Sequence, residues 1–600
     1  MICLDVQHVL GRRYVNGHAE PGSSFILANG NGSFFNVSSE PLSKFNGLFV
    51  KCNGRVFRVI EHISIVNAAM PSGLVNRFHC LERRRPGLAE RFFMPKWINS
   101  VVYETSAKIL ADIFFDIRRA YDLRSWGRDY SIELQPGMAV VAFTKSTHFF
   151  EDLSHGAREY SLFMAVRHDG SAEALEEWVY RSYPADEARS SSPSSRHVYR
   201  GLRLSCRKAV FSVSGDKSAA IAEANAVFSK AARLTSLEKR SFARFRFNDL
   251  AYSCASASLY RLLTTDGLLA GYPWFFQVWS RDEAISSRAL SLLGFGKESK
   301  SILLRQLAAL KADGRTPNIF DAAYSSGDGP APVACADGIG WVFLRLGGLA
   351  RMLTPAEQKD AAAKLEGCIA SLRQNYEKSG LIYSGPLETW MDTAVADDTR
   401  QGFRIEIQAL QLAIYRLAFR LTGKKEYESL ENQLAEKVRS GFWNSKILAD
   451  GLGDFTARPN AFIAAYAYPE LLSKAEWGVC FENLLKELWL PWGGIATISR
   501  SSPLFRSRYS GEPPFSYHRG DSWFWINNLA AIVMHRVDRR KFRPYIQSIF
   551  QASRKDILWK GAVGCHSELS SAEAQRAEGS LSQAWSAAMF IELCHELGKR

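Results

Sequence analysis

No run in this chain reaches the about 20 consecutive apolar residues that a membrane-crossing helix needs, so a transmembrane role is set aside. The first residues, MICLDVQHVLGRRYVNG, carry Asp5 and no long apolar core, so they do not read as a secretory signal. Ten cysteines are scattered without a single C-x-x-C pair. That argues against zinc ribbons and disulfide frameworks and predicts reduced thiols in a cytoplasmic setting. The histidines lack the spacing of metal ligands. There is no P-loop and no dinucleotide fingerprint, and GDS at 520–522 is not a nucleophile elbow. No short repeat is visible, which weighs against a standard repeat array.

What is present belongs to a folded, multi-domain chain. Hydrophobic residues make up 46% and charged residues 23% of 600 residues, too many for one ordinary core. The net charge of +14 is dispersed, apart from short clusters such as Arg83 to Arg85 and Arg539 to Lys541. Without a recognisable nucleic-acid module, this reads as a basic surface, with neither nucleic acid nor membrane as partner. Aromatic residues reach 12%, and several of the 15 tryptophans share loops with charged residues. An aromatic face over the apolar side of a pyranose, with polar groups for its hydroxyls, is how sugars are bound.

Residues 1–225 read as β-rich, with β-branched and aromatic residues in partial alternation, as in GLFVKCNGRVFRVIEHISIV. RSSSPSSRH at 189–197 is a polar turn, because strand-like sequence resumes after it. The remaining residues, 226–600, are helical in period, with about twelve candidates beginning near 236–262. Twelve helices in consecutive pairs suggest an α/α toroid, although a helical solenoid has the same period.

The unusual residues lie between the helices. In GPLETWMDT, residues 385–393, Trp390 and Met391 stand directly before Asp392, where ionisation is costly if they bury it. That suits an acid kept protonated for use, and also a helix cap or turn. WFFQVWSRDEA, ARPNAF, FSYHRGDSWFW and GCHSELSSAEAQRAEGSLSQAW add carboxylates, arginines, tryptophans and His518. Paired carboxylates amid tryptophans are the equipment of glycoside hydrolysis.

The stretches WSRDEA, ETWMD, RIEIQAL, RPNAF, YHRGDSW and GSLSQAWS occur in one order between about 274 and 587. Together they resemble the amylo-α-1,6-glucosidase domain of glycogen debranching enzymes, glycoside hydrolase family 133. ILANGNGSFFN followed by KFNGLFV, residues 26–50, is similar to the opening of the bacterial and archaeal forms. The resemblance implies an N-terminal β-sandwich followed by an all-α (α/α)6 toroid barrel. It also implies an inverting, exo-acting enzyme that removes α-1,6-glucosyl stubs from a glycogen-like α-glucan, with no metal or organic cofactor.

By the same resemblance, Asp392 is the general acid, and a glutamate of the loop before SQAWS is the base. That loop holds Glu568, Glu573 and Glu578; GCHSEL puts Glu568 at the family position, although LSSAEA replaces the family's following Asp-Gly. Arg281 and Asp282 look like sugar-binding residues of the deepest subsite, and Asp282 also suits a helix N-cap. Trp279, Trp390, Trp523 and Trp585 are expected to line the pocket, and Tyr517 and His518 to bond glucose hydroxyls. Glu406 reads as binding sugar or orienting Arg404. Asp337, Arg458, Asn318 and Asn460 are supporting candidates. Asp521 stands where the family has a different residue. A glucoamylase-like specificity and a silent α-glucan-binding protein remain open alternatives.

Overall fold

The computed structural model describes residues 6–9, 24–38, 41–146, 159–320 and 334–599. Most of the N-terminal stretch read above for a signal lies outside the described residues.

Two 20-residue strands, Ser100–Arg119 and Ser195–Ser214, pair antiparallel and form the spine of a 14-stranded antiparallel sheet. Beyond Ser195–Ser214 the sheet continues through Tyr160–His168, Met138–Lys145 and Arg128–Gln135. From Ser100–Arg119 one path runs through Leu88–Phe93 to Val6–Val9, and another through Arg55–Ile65 to Ser24–Ala28. The spine is long because Val101, Ile113, Phe115, Leu202, Leu204 and Phe211 are all buried, so its apolar side chains find cover along its whole length. Its polar centre is Asp116, which is fully buried and paired with Arg58, Arg118 and Arg128 at 2.6–2.9 Å.

Thirteen helices longer than seven residues follow among the described residues. They are α1 (Lys217–Phe242), α2 (Leu250–Leu262), α3 (Ser280–Leu292), α4 (Gly296–Ala308), α5 (Gly338–Gly348), α6 (Pro355–Tyr376) and α7 (Ile405–Thr422). Then come α8 (Lys425–Phe442), α9 (Asn460–Ala467), α10 (Lys474–Leu488), α11 (Phe524–Asp538), α12 (Arg543–Trp559) and α13 (Ala584–Glu596). The expected helix near 236–262 is in fact the end of α1 and the whole of α2. Asp249 separates them because its side chain caps Tyr252 N. Helix α1 packs on the sheet, and the boundary expected at 225 falls inside it.

Helices α3, α5, α7, α9, α11 and α13 touch one another in a closed cycle, and the other helices from α2 onward pack outside them. The sequence carries this division. Inner α13 is buried at every position from Ala584 to Cys594, whereas outer α8 buries Tyr427, Glu431, Leu434, Val438 and Phe442 along one stripe. One apolar core joins sheet and helices: Phe34 packs on Tyr272 at 4.5 Å between ring centroids, and Asn76 Nδ2 donates to Val563 O at 2.8 Å. No described helix is long and apolar enough to cross a membrane.

Candidate active site

Contacts join the entrances of all six inner helices in turn. Arg281 at the start of α3 pairs with Asp337 before α5 at 2.8 Å, and faces Asp392, in the segment before α7, at 3.5 Å. Trp390 Nε1 donates to Asn460 Oδ1 at the start of α9 at 2.7 Å. Arg458 Nη1 donates to His518 O before α11 at 2.9 Å. Phe524 N at the start of α11 donates to Glu568 O at 3.2 Å, and Gln583 Nε2 before α13 returns to Asp282 Oδ1 at 2.8 Å. Six helix N-termini therefore meet at one end of the ring, where their dipoles favour negative charge.

Asp392 stands here with its side chain 29% exposed, one oxygen 3.5 Å from Arg281 Nη1 and the other 3.5 Å from His518 Nε2. Trp390 and Met391 do not shield it, contrary to expectation. The segment is irregular, its successive side chains diverge, and both apolar residues turn into the core at 1% exposure. His518 lies flat on Trp523, with centroids 5.0 Å apart. Burial lowers its pKa to about 4, so it is a neutral imidazole at neutral pH. Four arginines hold the segment that carries Asp392. Arg315 pairs with Glu388 at 2.9 Å, and Arg400 donates to Thr389 Oγ1 at 2.8 Å. Arg458 and Arg519 converge on Asp398 at 2.9 and 2.8 Å.

Glu568 is 2% exposed. Tyr517 Oη donates to its Oε1 at 2.5 Å and Ser580 N to its Oε2 at 2.7 Å. Burial pushes its pKa up to about 8; the two donors pull it down, while Asp282 and Asp392 add to the rise. Paired two-residue strands fix the backbone around Glu568, with Ser522 opposite Ser570 and Trp523 opposite Leu569. Gly579 closes over it with φ +63°, and a Cβ there would collide with Glu568 Oε2. Glu573 is exposed and pairs with Arg508 at 3.0 Å, outside this arrangement. Glu578 is half-buried, its backbone bridged to Leu569. The strongly desolvated carboxyl is therefore Glu568, not Asp392, the reverse of what the two sequence stretches suggest.

Asp282 is buried, which lifts its pKa to about 7, and it occupies the third position of α3; the N-cap is Trp279, so the capping role expected for Asp282 is not the one observed. Several residues expected to contact sugar are engaged by other groups of the protein. Trp390, Trp523 and Trp585 pack with Trp525 in a buried aromatic cluster, with centroids 5.0–5.7 Å apart. Glu406 pairs with Arg400 at 2.7 Å rather than orienting Arg404, which binds Asp454 at 2.7 Å. Arg458 spends its donors on Asp398, Thr497 O and His518 O. Asp337 serves Arg281, and Asn460 joins Trp390 to Asp450. Asp521 is fully buried and accepts from Ser516 Oγ at 2.6 Å, stapling its own loop. Trp279 is half-exposed, and the Nε1 groups of Trp279 and Trp585 and the Oδ1 of Asn318 have no hydrogen-bond partner among the described residues. Arg400, Arg519, Asp398, Asp450 and Gln583 were not singled out from sequence. Arg519 and Gln583 lie inside YHRGDSW and GSLSQAWS, which was the available signal.

The chain is similar in fold to a bacterial glucoamylase complexed with acarbose, at TM-score 0.62 and 10% identity over 98% of this chain and 97% of that one. A mannosylglycerate hydrolase of family GH63 from Thermus thermophilus, in complex with Tris and D-glycerate, aligns at TM-score 0.43 and 13% identity over 57% of this chain and 99% of that one. No curated protein matches. The family model described as amylo-alpha-1,6-glucosidase matches residues 260–592, more than half of the chain, including Asp392 and Glu568. The protein belongs to the amylo-α-1,6-glucosidase family and is a glycoside hydrolase.

Proposed function

We propose that the protein is an inverting, exo-acting amylo-α-1,6-glucosidase that removes single α-1,6-linked glucosyl stubs from a glycogen-like α-glucan. Its pocket would lie where the inner helices begin, in an (α/α)6 toroid joined to a β-sandwich. The observation that carries this reading is the pair Asp392 and Glu568, one partly exposed beside Arg281 and one buried, both at the end of the ring where the inner helices begin. Asp392 gives its proton to the glycosidic oxygen, and the bond from that oxygen to the anomeric carbon breaks. Glu568 takes a proton from a water that attacks the opposite face, which inverts the anomeric centre. This geometry requires the two carboxyls to stand roughly 6.5–9.5 Å apart.

In the free protein the burial of Glu568 favours its protonated form, so binding has to reverse that. Asp392 is one of the two carboxylates whose charge adds to the rise at Glu568. Tyr517 Oη and Ser580 N, both donors, then hold Glu568 as a carboxylate. Reduced thiols support a cytoplasmic site of action: the nine described cysteines are all free.

The test follows glucose release from a limit dextrin bearing single α-1,6-glucosyl stubs by NMR. The expected first product is β-glucose, with rates lower by about 10²–10⁴-fold in Asp392→Asn and Glu568→Gln. Early α-glucose would sink the inverting mechanism. Cleavage of maltotriose but not of the limit dextrin would replace the debranching specificity with a glucoamylase-like one.

A further inference from the structure

The strands Ser100–Arg119 and Arg128–Gln135 are joined by AYDLRSWG, residues 120–127, which the proposed chemistry does not use. This loop exposes three large side chains: Tyr121 at 42%, Leu123 at 55% and Trp126 at 52%. Its backbone is nevertheless pinned. Arg118 Nη1 donates to Asp122 O and Arg124 O, each at 3.2 Å, and Arg128 Nε donates to Ser125 O at 3.2 Å. Lys145 Nζ holds Trp126 O. Arg118 and Arg128 are themselves fixed on buried Asp116. The ordering cost of displaying these rings is therefore met before any ligand arrives.

The loop also leans on the entrance to the site. Tyr121 Oη donates to Trp274 O and accepts from Gln277 Nε2 at 3.4 Å, and its ring stacks on Phe276 at 5.2 Å. Residues 274–277 run directly into Trp279, Arg281 and Asp282, and Phe275 meets Trp279 edge-on at 6.0 Å. Beside them, Arg189 of the polar turn covers Trp274 at 3.9 Å and pairs at 3.3 Å with Glu512, in the loop that leads to Tyr517. Two turns of the sheet thus frame the loops that carry Arg281 and Tyr517.

We infer that residues 120–127 form a ledge for the α-glucan chain on the leaving-group side of the scissile bond, with Tyr121 and Trp126 offering ring faces to glucosyl units outside the pocket. This rests on the α-glucan reading above and extends it to the polymer. An exo-acting pocket takes one terminal unit, so the rest of the chain must leave across the rim. Separate rings suit a chain of pyranoses, each with an apolar face, while the Asp122 carboxylate is already paired with Arg124 at 2.6 Å and keeps the ledge in shape.

The full-length protein and its Trp126→Ala variant are compared on two α-1,6 substrates, the limit dextrin and isomaltose. The ledge predicts that the ratio of kcat/KM on limit dextrin to kcat/KM on isomaltose falls about fivefold to tenfold, mainly through KM on the polymer. An unchanged ratio overturns it, whether both rates fall together or neither does. Electrophoresis through a native gel containing glycogen supplies an independent readout. Wild type inactive on both substrates, yet slowed by glycogen unless Trp126 is replaced, would defeat the proposed reaction and leave the ledge standing. A wild type neither active nor slowed would overturn both.

Discussion

Glu568 is a residue at which burial opposes chemistry. A base must be ionised, yet burial lifts this carboxyl to about 8. The expected pH profile of kcat/KM therefore rises as pH increases toward 8. Tyr517 Oη donates to Glu568 and stabilises its charged form, so Tyr517→Phe raises that pKa further. The rising limb should move to higher pH, with about tenfold less activity at pH 7. A limb that stays in place or moves to lower pH would show that Glu568 is not the titrating base. Stability follows with a definite sign. The folded pKa lies above the usual 4.5, so the folded protein holds this proton more tightly than the unfolded chain. That stabilisation is complete below about pH 4.5 and is lost as pH rises through about 8. Glu568→Gln, which cannot ionise, should flatten the fall of Tm with pH and gain roughly 1–3 °C over wild type near pH 8.5, with no gain near pH 5. A thermal melt series across pH checks this. The motifs around Asp392 and Glu568 were legible in the sequence. Which carboxyl is desolvated was not, because that depends on Tyr517, Ser580 and Gly579 closing around Glu568 and on Trp390 turning away from Asp392.

At the scale of elements, the irregular segment 385–400 performs a precise task with little regular structure of its own. Its order comes from elsewhere: Arg458 and Arg519 arrive from two other loops and meet on Asp398, six residues beyond Asp392. Asp398→Ala releases both, and a displacement of about 1 Å at a reacting group costs on the order of 10²-fold. The expected result is a fall in kcat with a smaller change in KM, read by steady-state kinetics on limit dextrin. An undiminished kcat would show that the remaining arginines suffice. Arg400→Leu is a harsher case, because it strands buried Glu406 and takes one of the cations from Asp450, and about 3–5 kcal/mol of stability should be lost. Helices were readable because inner ones are apolar throughout and outer ones carry a stripe. Their joins were less so: the period alone merged α1 with α2, since Asp249 caps a new helix within a stretch that otherwise keeps helical spacing. The arginine clamps were unreadable for a different reason. Arg315, Arg458 and Arg519 each pair with a residue 60 or more positions away, and no local pattern marks which of the 75 basic residues will be buried.

At the scale of the whole molecule, the change of composition near residue 225 invites a picture of two independent bodies, and the packing argues otherwise. Helix α1 begins after Asp216 yet lies on the sheet, so the chain crosses from strand to helix without leaving the first layer. Phe78, from the sheet side, is 1% exposed, packs near Phe242 and lies under the Arg261 guanidinium at 5.3 Å. Gly564, four residues before Glu568, fits against the same ring, and neighbouring Val563 O accepts from Asn76. The loop that places Glu568 is therefore built partly on the sheet. Its position depends on a surface that a free helical ring would leave in water. Sheet and ring should consequently unfold together, giving one calorimetric transition rather than two. Phe78→Ala removes about 3–5 kcal/mol at this joint and should lower that single transition without splitting it. Two separate endotherms in the wild type, with only one moved by Phe78→Ala, would mean that the regions are energetically independent. In that case the placement of Glu568 would have to come from the ring alone.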